Sequence, residues 1–180
     1  MGQRSGAEHR DLSALAPELS QSLLAWWEIH GRKDPALKPW MFTKDGRWPE
    51  PHEHLNVLEC WIAEVMLQQT QLKVVLPYWQ RWMEVFPTVD ALAAASLEQV
   101  RLQWQGLGYY SRARRLHAAA QRLAQGPWPR DLDSWMGLPG IGRTTAGSIL
   151  SSGFNAPLAI LDGNVKRVLA RLHAHPRPPA

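Results

Sequence analysis

Between Cys60 and Leu72 the chain carries a single charge, Glu64. Leu58, Trp61, Ile62, Val65 and Gln69 recur there with the spacing of one face of an amphipathic helix, so this stretch is predicted to pack against a core until it breaks near Thr70. Glu64 falls outside that stripe, with Cys60 and Leu67 at i−4 and i+3. A carboxyl in such a place loses hydration when something covers it, and its pKa rises. That suits a proton donor working near neutral pH. A solvated helix glutamate is the plainer alternative, and periodicity leaves both readings open.

Helical spacing recurs along the chain and period two persists nowhere, so the fold class is all-α. Residues 1–16 mix polar and small residues without periodicity and read as a disordered lead-in. Pro17 opens a helix through Leu19, Leu23, Trp26 and Trp27 that ends at Gly31. Residues 32–54 hold Pro35, Pro39, Gly46, Pro49 and Pro51 and read as a long surface loop, which at that length is functional or disordered. After the Glu64 helix, a pattern through Val74, Val75, Tyr78, Trp79, Trp82 and Phe86 predicts another, with Pro77 acceptable only near its first turn. Ser96-Leu-Glu-Gln99 has the form of a capping box and starts a helix to about Gln105. A basic helix follows from Tyr109 to Ala124, then short helices over Asp131–Met136 and around Gly147–Ser152, and a last one from Gly163 to about Leu172.

Leu138-Pro-Gly140-Ile-Gly142-Arg143-Thr144-Thr-Ala146 sits between two of these helices. Its glycines let the backbone turn tightly and approach another molecule. The next helix points its free N–H groups outward, a ready anion site to which Arg143 adds charge. This is the form of a helix-hairpin-helix, which holds a DNA phosphate backbone without reading sequence. Gly-x-Gly alone is an ordinary interhelical turn; the whole string is far more specific. A balance of 20 Lys and Arg against 16 Asp and Glu, net +4, is compatible with a polyanionic partner without establishing one.

Asp162 precedes the last helix and reads as its N-cap. A carboxylate so bonded stays ionised, which stabilising a developing cation requires. Glu64 as an acid and Asp162 as a held anion make the pair that cleavage of a glycosidic bond needs. Gly106-Leu-Gly-Tyr109-Tyr110-Ser-Arg112-Ala-Arg114 puts rings and arginines beside a flexible turn. Rings can wedge between bases and arginines can meet phosphates, although one of the two tyrosines is expected in the core.

Glu64-Val-Met-Leu-Gln-Gln-Thr70, Gly106-Leu-Gly-Tyr-Tyr-Ser-Arg112, Leu138-Pro-Gly-Ile-Gly-Arg143 and Leu161-Asp-Gly-Asn-Val-Lys-Arg-Val-Leu-Ala-Arg171, in this order, resemble the MutY-type adenine DNA glycosylases of the helix-hairpin-helix superfamily. The likeness covers roughly residues 18–172. It implies a six-helix barrel lobe over 55–153, with the hairpin near 131–152. An incomplete second lobe would be formed by the helix at 17–31 and by 154–180, which carries Asp162. It implies removal of adenine mispaired with 8-oxoguanine or guanine from double-stranded DNA, by hydrolysis of the N-glycosidic bond of a flipped-out nucleotide. On that resemblance Glu64 protonates adenine at N7, Asp162 stabilises the oxocarbenium-like sugar and Asn164 supports it by hydrogen bonding. Gln69 and Tyr109 fill and wedge the stack, and Thr144 matches a position held by Ser or Tyr in relatives. Only Pro39-Trp40 can be set on the family's Pro-Trp, because the preceding loop is longer here.

The family also has a four-cysteine loop holding a 4Fe-4S cluster and a C-terminal domain recognising 8-oxoguanine. With Cys60 as the single cysteine, no cluster, metal or other cofactor is expected to be held by this chain, which reads as an N-terminal fragment. No apolar run is long enough for a bilayer and no signal segment or acylation motif opens the sequence. A cytoplasmic monomer with no membrane partner is expected, associated with the nucleoid if bacterial. Two rivals stay open. A glycosylase/lyase like endonuclease III needs an amine two residues after the second glycine, where Thr144 stands. A non-catalytic DNA-binding module is the other.

Overall fold

The computed structural model describes residues 16–172. Residues 1–15 of the expected lead-in, and 173–180, lie outside the described residues. The described residues fall into two compact units, one of residues 16–33 together with 161–172, the other of Asp34–Ile160. Residues 154–160, expected with the second lobe, belong instead to the larger unit, where Ala156 and Leu158 pack against its core. All regular structure among the described residues is helical.

The larger unit holds a 3-10 turn (Pro39–Met41) and seven helices: α2 (Val57–Leu67), α3 (Leu72–Val85), α4 (Val89–Ala94), α5 (Leu97–Trp104), α6 (Ser111–Leu123), α7 (Leu132–Met136) and α8 (Arg143–Phe154). Helix α2 is central and packs on α3, α6, α8 and the 3-10 turn. It is buried on more than one stripe: Cys60, Ala63 and Met66 are covered as well as Leu58, Trp61, Ile62 and Val65. That explains its nearly uncharged sequence, each large apolar side chain contributing about 1.5–3 kcal/mol on burial. Six of the ten tryptophans are buried. Trp61 meets Trp128 and Trp135 edge-on, and Trp82 meets Trp104 and Phe86.

Local end signals behave as their chemistry requires. Ser96 and Gln99 complete the capping box of α5 reciprocally, and Asp131 caps α7 through Ser134 N–H. Helix α4 has no counterpart among the predicted elements; Thr88 caps it by accepting from Ala91 N–H. Pro77 lies well inside α3 rather than in its first turn. Both Pro77 and Lys73, whose carbonyl loses its intrahelical donor, are exposed, so the break falls on the solvent side of the helix.

The loop over 32–54 is built into the unit. Trp40 and Phe42 are buried, Trp40 packs at a tilt against Trp79 with ring centroids 5.2 Å apart, and the Cys60 thiol donates to the Trp40 carbonyl. Arg47 joins Asp45 at 2.7 Å and Glu53 at 2.9 Å. Asn155, left-handed at the end of α8, donates to the carbonyls of Pro51 and Glu53.

The smaller unit contains α1 (Ala16–His30) and α9 (Gly163–Leu172), neither with a buried residue. On α9 the stripe of Val165, Val168 and Leu172 is exposed, as are Leu23, Leu24, Trp26 and Ile29 on α1.

Candidate active site and nucleic-acid interface

Glu64 stands in the second half of α2, half-buried. Burial pushes its carboxyl above the ordinary range, and a hydrogen bond with Ser148 of α8 and the charge of Lys38 pull it back only in part. The Glu64 carboxyl is thus partly desolvated, not fully solvated. Neither Ser148 nor Lys38 is marked by any motif; they reach Glu64 through the packing of α8 and the 32–54 loop.

Helix α2 ends at Leu67, so Gln69 is not part of its buried stripe. Gln69 is exposed, in the left-handed region at φ 59°. Tyr109, also exposed, has φ 49°. Tyr110 is exposed too, so neither tyrosine enters the core. Left-handed backbone costs a non-glycine residue about 1–3 kcal/mol and persists only where its surroundings hold it.

Beside both Gln69 and Tyr109 lies Arg112, buried rather than free to meet a phosphate. One guanidinium nitrogen donates to the carbonyls of Val65 (3.2 Å), Met66 (3.0 Å) and Gln68, the other to Thr70 Oγ1 (3.1 Å) and the Leu107 carbonyl (3.3 Å). Trp104 and Tyr109 lie against its plane. The sequence does carry a signal for this. Arg112 shares a helical stripe with Leu116, Ala119, Ala120 and Leu123, whereas Arg114 and Arg115 do not and are exposed.

In the hairpin between α7 and α8 the two glycines differ. Gly140 has φ 81°, and a Cβ there would lie 2.9 Å from Arg115 Cβ of α6. Gly142 has an ordinary φ of −93° as the N-cap of α8, and a Cβ there would meet nothing within 4 Å. The intramolecular turn therefore requires glycine at 140 only. Gly142 presents no capping side chain, and Arg143 and Thr144 beside it are exposed. Gln68 donates to Thr145 Oγ1 at 3.2 Å, tying the end of α2 to the first turn of α8. A crevice lined by Gln68, Arg112, Arg115, Pro139 and Gly140 marks where α2, α6 and the hairpin converge.

In the smaller unit Asp162 caps α9, accepting from Asn164 N–H at 2.9 Å and Val165 N–H at 2.8 Å. The Val165 bond above all, with Asn164 and the nearby Arg167 charge, holds its carboxyl below the usual range. Asn164 accepts a bond from Arg167. Glu64, Gln69, Tyr109 and the hairpin thus belong to the larger unit, and Asp162 and Asn164 to the smaller.

A sequence profile described as "HhH-GPD superfamily base excision DNA repair protein" matches residues 62–180. The chain belongs to the HhH-GPD superfamily. An adenine DNA glycosylase of Rattus norvegicus is 49% identical over 158 residues, covering 86% of this chain and 29% of that protein. One of Buchnera aphidicola subsp. Baizongia pistaciae is 42% identical over 157 residues (86% and 41%), and one of Homo sapiens 41% identical over 157 residues (85% and 28%). This HhH-GPD chain therefore spans well under half the length of these curated relatives. Among solved structures, a non-covalent endonuclease III–DNA complex superposes with TM-score 0.66 at 27% identity, covering 87% of this chain and 68% of that one. A thermostable thymine-DNA glycosylase superposes with TM-score 0.71 at 18% identity (88% and 69%), a likeness of fold alone.

A 4Fe-4S cluster, which the resemblance implies for the family, does not fit the residues described. Cys60 is buried within α2, with its thiol pushed up to about 12 by burial. No group of three or more His, Cys, Asp and Glu among the described residues is placed to hold a metal ion. Nor is any described helix long and apolar enough to cross a membrane.

Proposed function

We propose that this chain carries the catalytic residues of a monofunctional DNA N-glycosylase that removes adenine mispaired with 8-oxoguanine or guanine. What carries the reading is the contrast between two carboxyls in an HhH-GPD chain: Glu64, desolvated and raised, and Asp162, capped and lowered. Environments that push two titrating groups apart assign an acid and an anion. Glu64 donates its proton to N7 of a flipped-out adenine as the C1′–N9 bond breaks and its electron pair leaves with the base. Asp162, kept ionised by its cap, is the carboxylate that would stabilise the positive charge developing on the sugar, with Asn164 as its support. Water adds at C1′ and returns its proton to the Glu64 carboxylate.

The free N–H groups at the start of α8, with Gly142, Arg143 and Thr144, take a phosphate of the duplex, while Gly140 shapes the turn. Gln69 and Tyr109 fill the stack beside the extruded base. Thr144 offers no amine, so the sugar is not attacked by the protein. The protein acts as a monomer on double-stranded DNA.

The test is single-turnover release of adenine from a duplex with adenine opposite 8-oxoguanine, using wild type and Glu64→Gln. Wild type releases adenine, and the variant, which keeps the shape but cannot donate that proton, does so about 10²–10⁴-fold more slowly while still binding the duplex. Binding without release by wild type would instead support the non-catalytic module.

A further inference from the structure

We propose that Arg112 is a positioning residue that locks the two wedge tips, Gln69 and Tyr109, to each other and to the helix carrying Glu64. The inference rests on the glycosylase reading above for what the tips do. The linkage itself rests on geometry.

Helix α2 ends with carbonyls that have no intrahelical donor. Arg112 supplies donors to Val65, Met66 and Gln68, with positive charge at the negative end of the helix. The same planar group binds Thr70 Oγ1 and the Leu107 carbonyl. Its partners thus bracket Gln69 on both sides, Gln68 before and Thr70 after. Leu107 is followed by Gly108, whose carbonyl accepts from the Trp104 indole at 2.9 Å, and then by Tyr109, whose ring lies 5.2 Å from the guanidinium carbon. Both tips are non-glycine residues in left-handed backbone. That conformation is stable only where neighbours over-determine it, and Arg112 binds the chain beside both.

Gln69 is five residues beyond Glu64, and the carbonyls that Arg112 binds begin at Val65, directly after it. A force on either tip is therefore delivered to the backbone next to the acid. Lysine has a single nitrogen with no planar fork and cannot reach two loops at once.

The experiment uses the full native protein with Arg112→Lys, Tyr109→Ala and the double variant. The duplex carries 2-aminopurine next to the target adenine, opposite 8-oxoguanine, so that fluorescence reports unstacking. Arg112→Lys should lower the unstacking signal and slow single-turnover release by about 10- to 100-fold, the scale on which small misplacements act. Affinity for undamaged duplex, held by the hairpin, should stay within about twofold. The double variant should be no slower than the worse single variant, since residues acting as one unit are not additive. Because Arg112→Lys removes several buried bonds, Thr70→Val, which removes one acceptor of Arg112 and the long 3.4 Å bond from Thr70 Oγ1 to the Gln68 carbonyl, is the second probe and should lower unstacking in the same direction by a smaller factor.

Multiplicative losses in the double variant would overturn the proposal. So would an unchanged unstacking signal in both Arg112→Lys and Thr70→Val, or an equal loss of undamaged-duplex affinity. If wild type unstacks its target but releases no adenine, the glycosylase reading fails, and an Arg112 effect on unstacking still supports the linkage. If wild type releases adenine and the variants behave like it, the linkage alone fails.

Discussion

The hairpin glycines make a paired perturbation whose two outcomes should separate. Gly140→Ala places a Cβ on a backbone at φ 81°, 2.9 Å from Arg115 Cβ, which is too close to the α6 backbone to swing away. Left-handed backbone costs an L-residue about 1–2 kcal/mol, and overpacking a fitted contact adds about 1–3 kcal/mol. A loss of about 2–5 kcal/mol follows, which for a chain of this length lowers Tm by about 4–20 °C. Gly142→Asp is the opposite case. Its φ of −93° is open to any residue, a Cβ meets nothing within 4 Å, and Asp is a preferred N-cap that favours the α8 dipole. The variant should be as stable as wild type or more so, by up to about 1 kcal/mol. Its carboxylate, however, occupies the place proposed for a phosphate. Loss of charge-assisted hydrogen bonds worth about 1.5–3 kcal/mol weakens duplex binding by about 10- to 100-fold. Thermal unfolding and duplex titration, damaged and undamaged, decide it. A Gly140→Ala protein that melts with wild type, or a Gly142→Asp protein that binds undamaged duplex as tightly as wild type, refutes the division of labour.

Two further outcomes concern the acid. Glu64 has a folded-state pKa above its unfolded value of about 4.3. Its contribution to stability is therefore fully present below that unfolded value and is lost as pH rises through the raised folded one. Glu64→Gln should accordingly be more stable than wild type at pH 7, with the gap closing below about pH 4; urea unfolding at both pH values checks this, and a gap that widens in acid contradicts it. Ser148→Ala removes the bond that favours the carboxylate, so the alkaline limb of the kcat/KM profile for adenine release should move to higher pH. A move to lower pH would show that Ser148 favours the protonated acid instead.

Several features needed no more than the sequence. The capping box at Ser96 and Gln99 and the Asp131 and Asp162 caps are written in residues a turn apart, because each is satisfied within its own turn of chain, whereas the sequence does not separate Gly140 from Gly142: the φ of 81° and the approach of Arg115 from α6 do. The all-helical class follows from the same local periodicity. Helix α4, six residues with only Leu92 buried, shows no apolar period, though Thr88 caps it as it should. The chemistry of Glu64 was not local: its raised carboxyl comes from burial, tempered by Ser148 and Lys38, which lie far along the chain on either side. The stripe shared with Leu116 and Leu123 marks Arg112 as facing inward, but which groups it binds is not local: only the meeting of α2, α6 and the 106–109 loop brings the Val65 and Leu107 carbonyls to it. Sequence determines which groups can bond to their neighbours in the chain; desolvation and long-range hydrogen bonding depend on what packs above them, and that the tertiary structure alone decides.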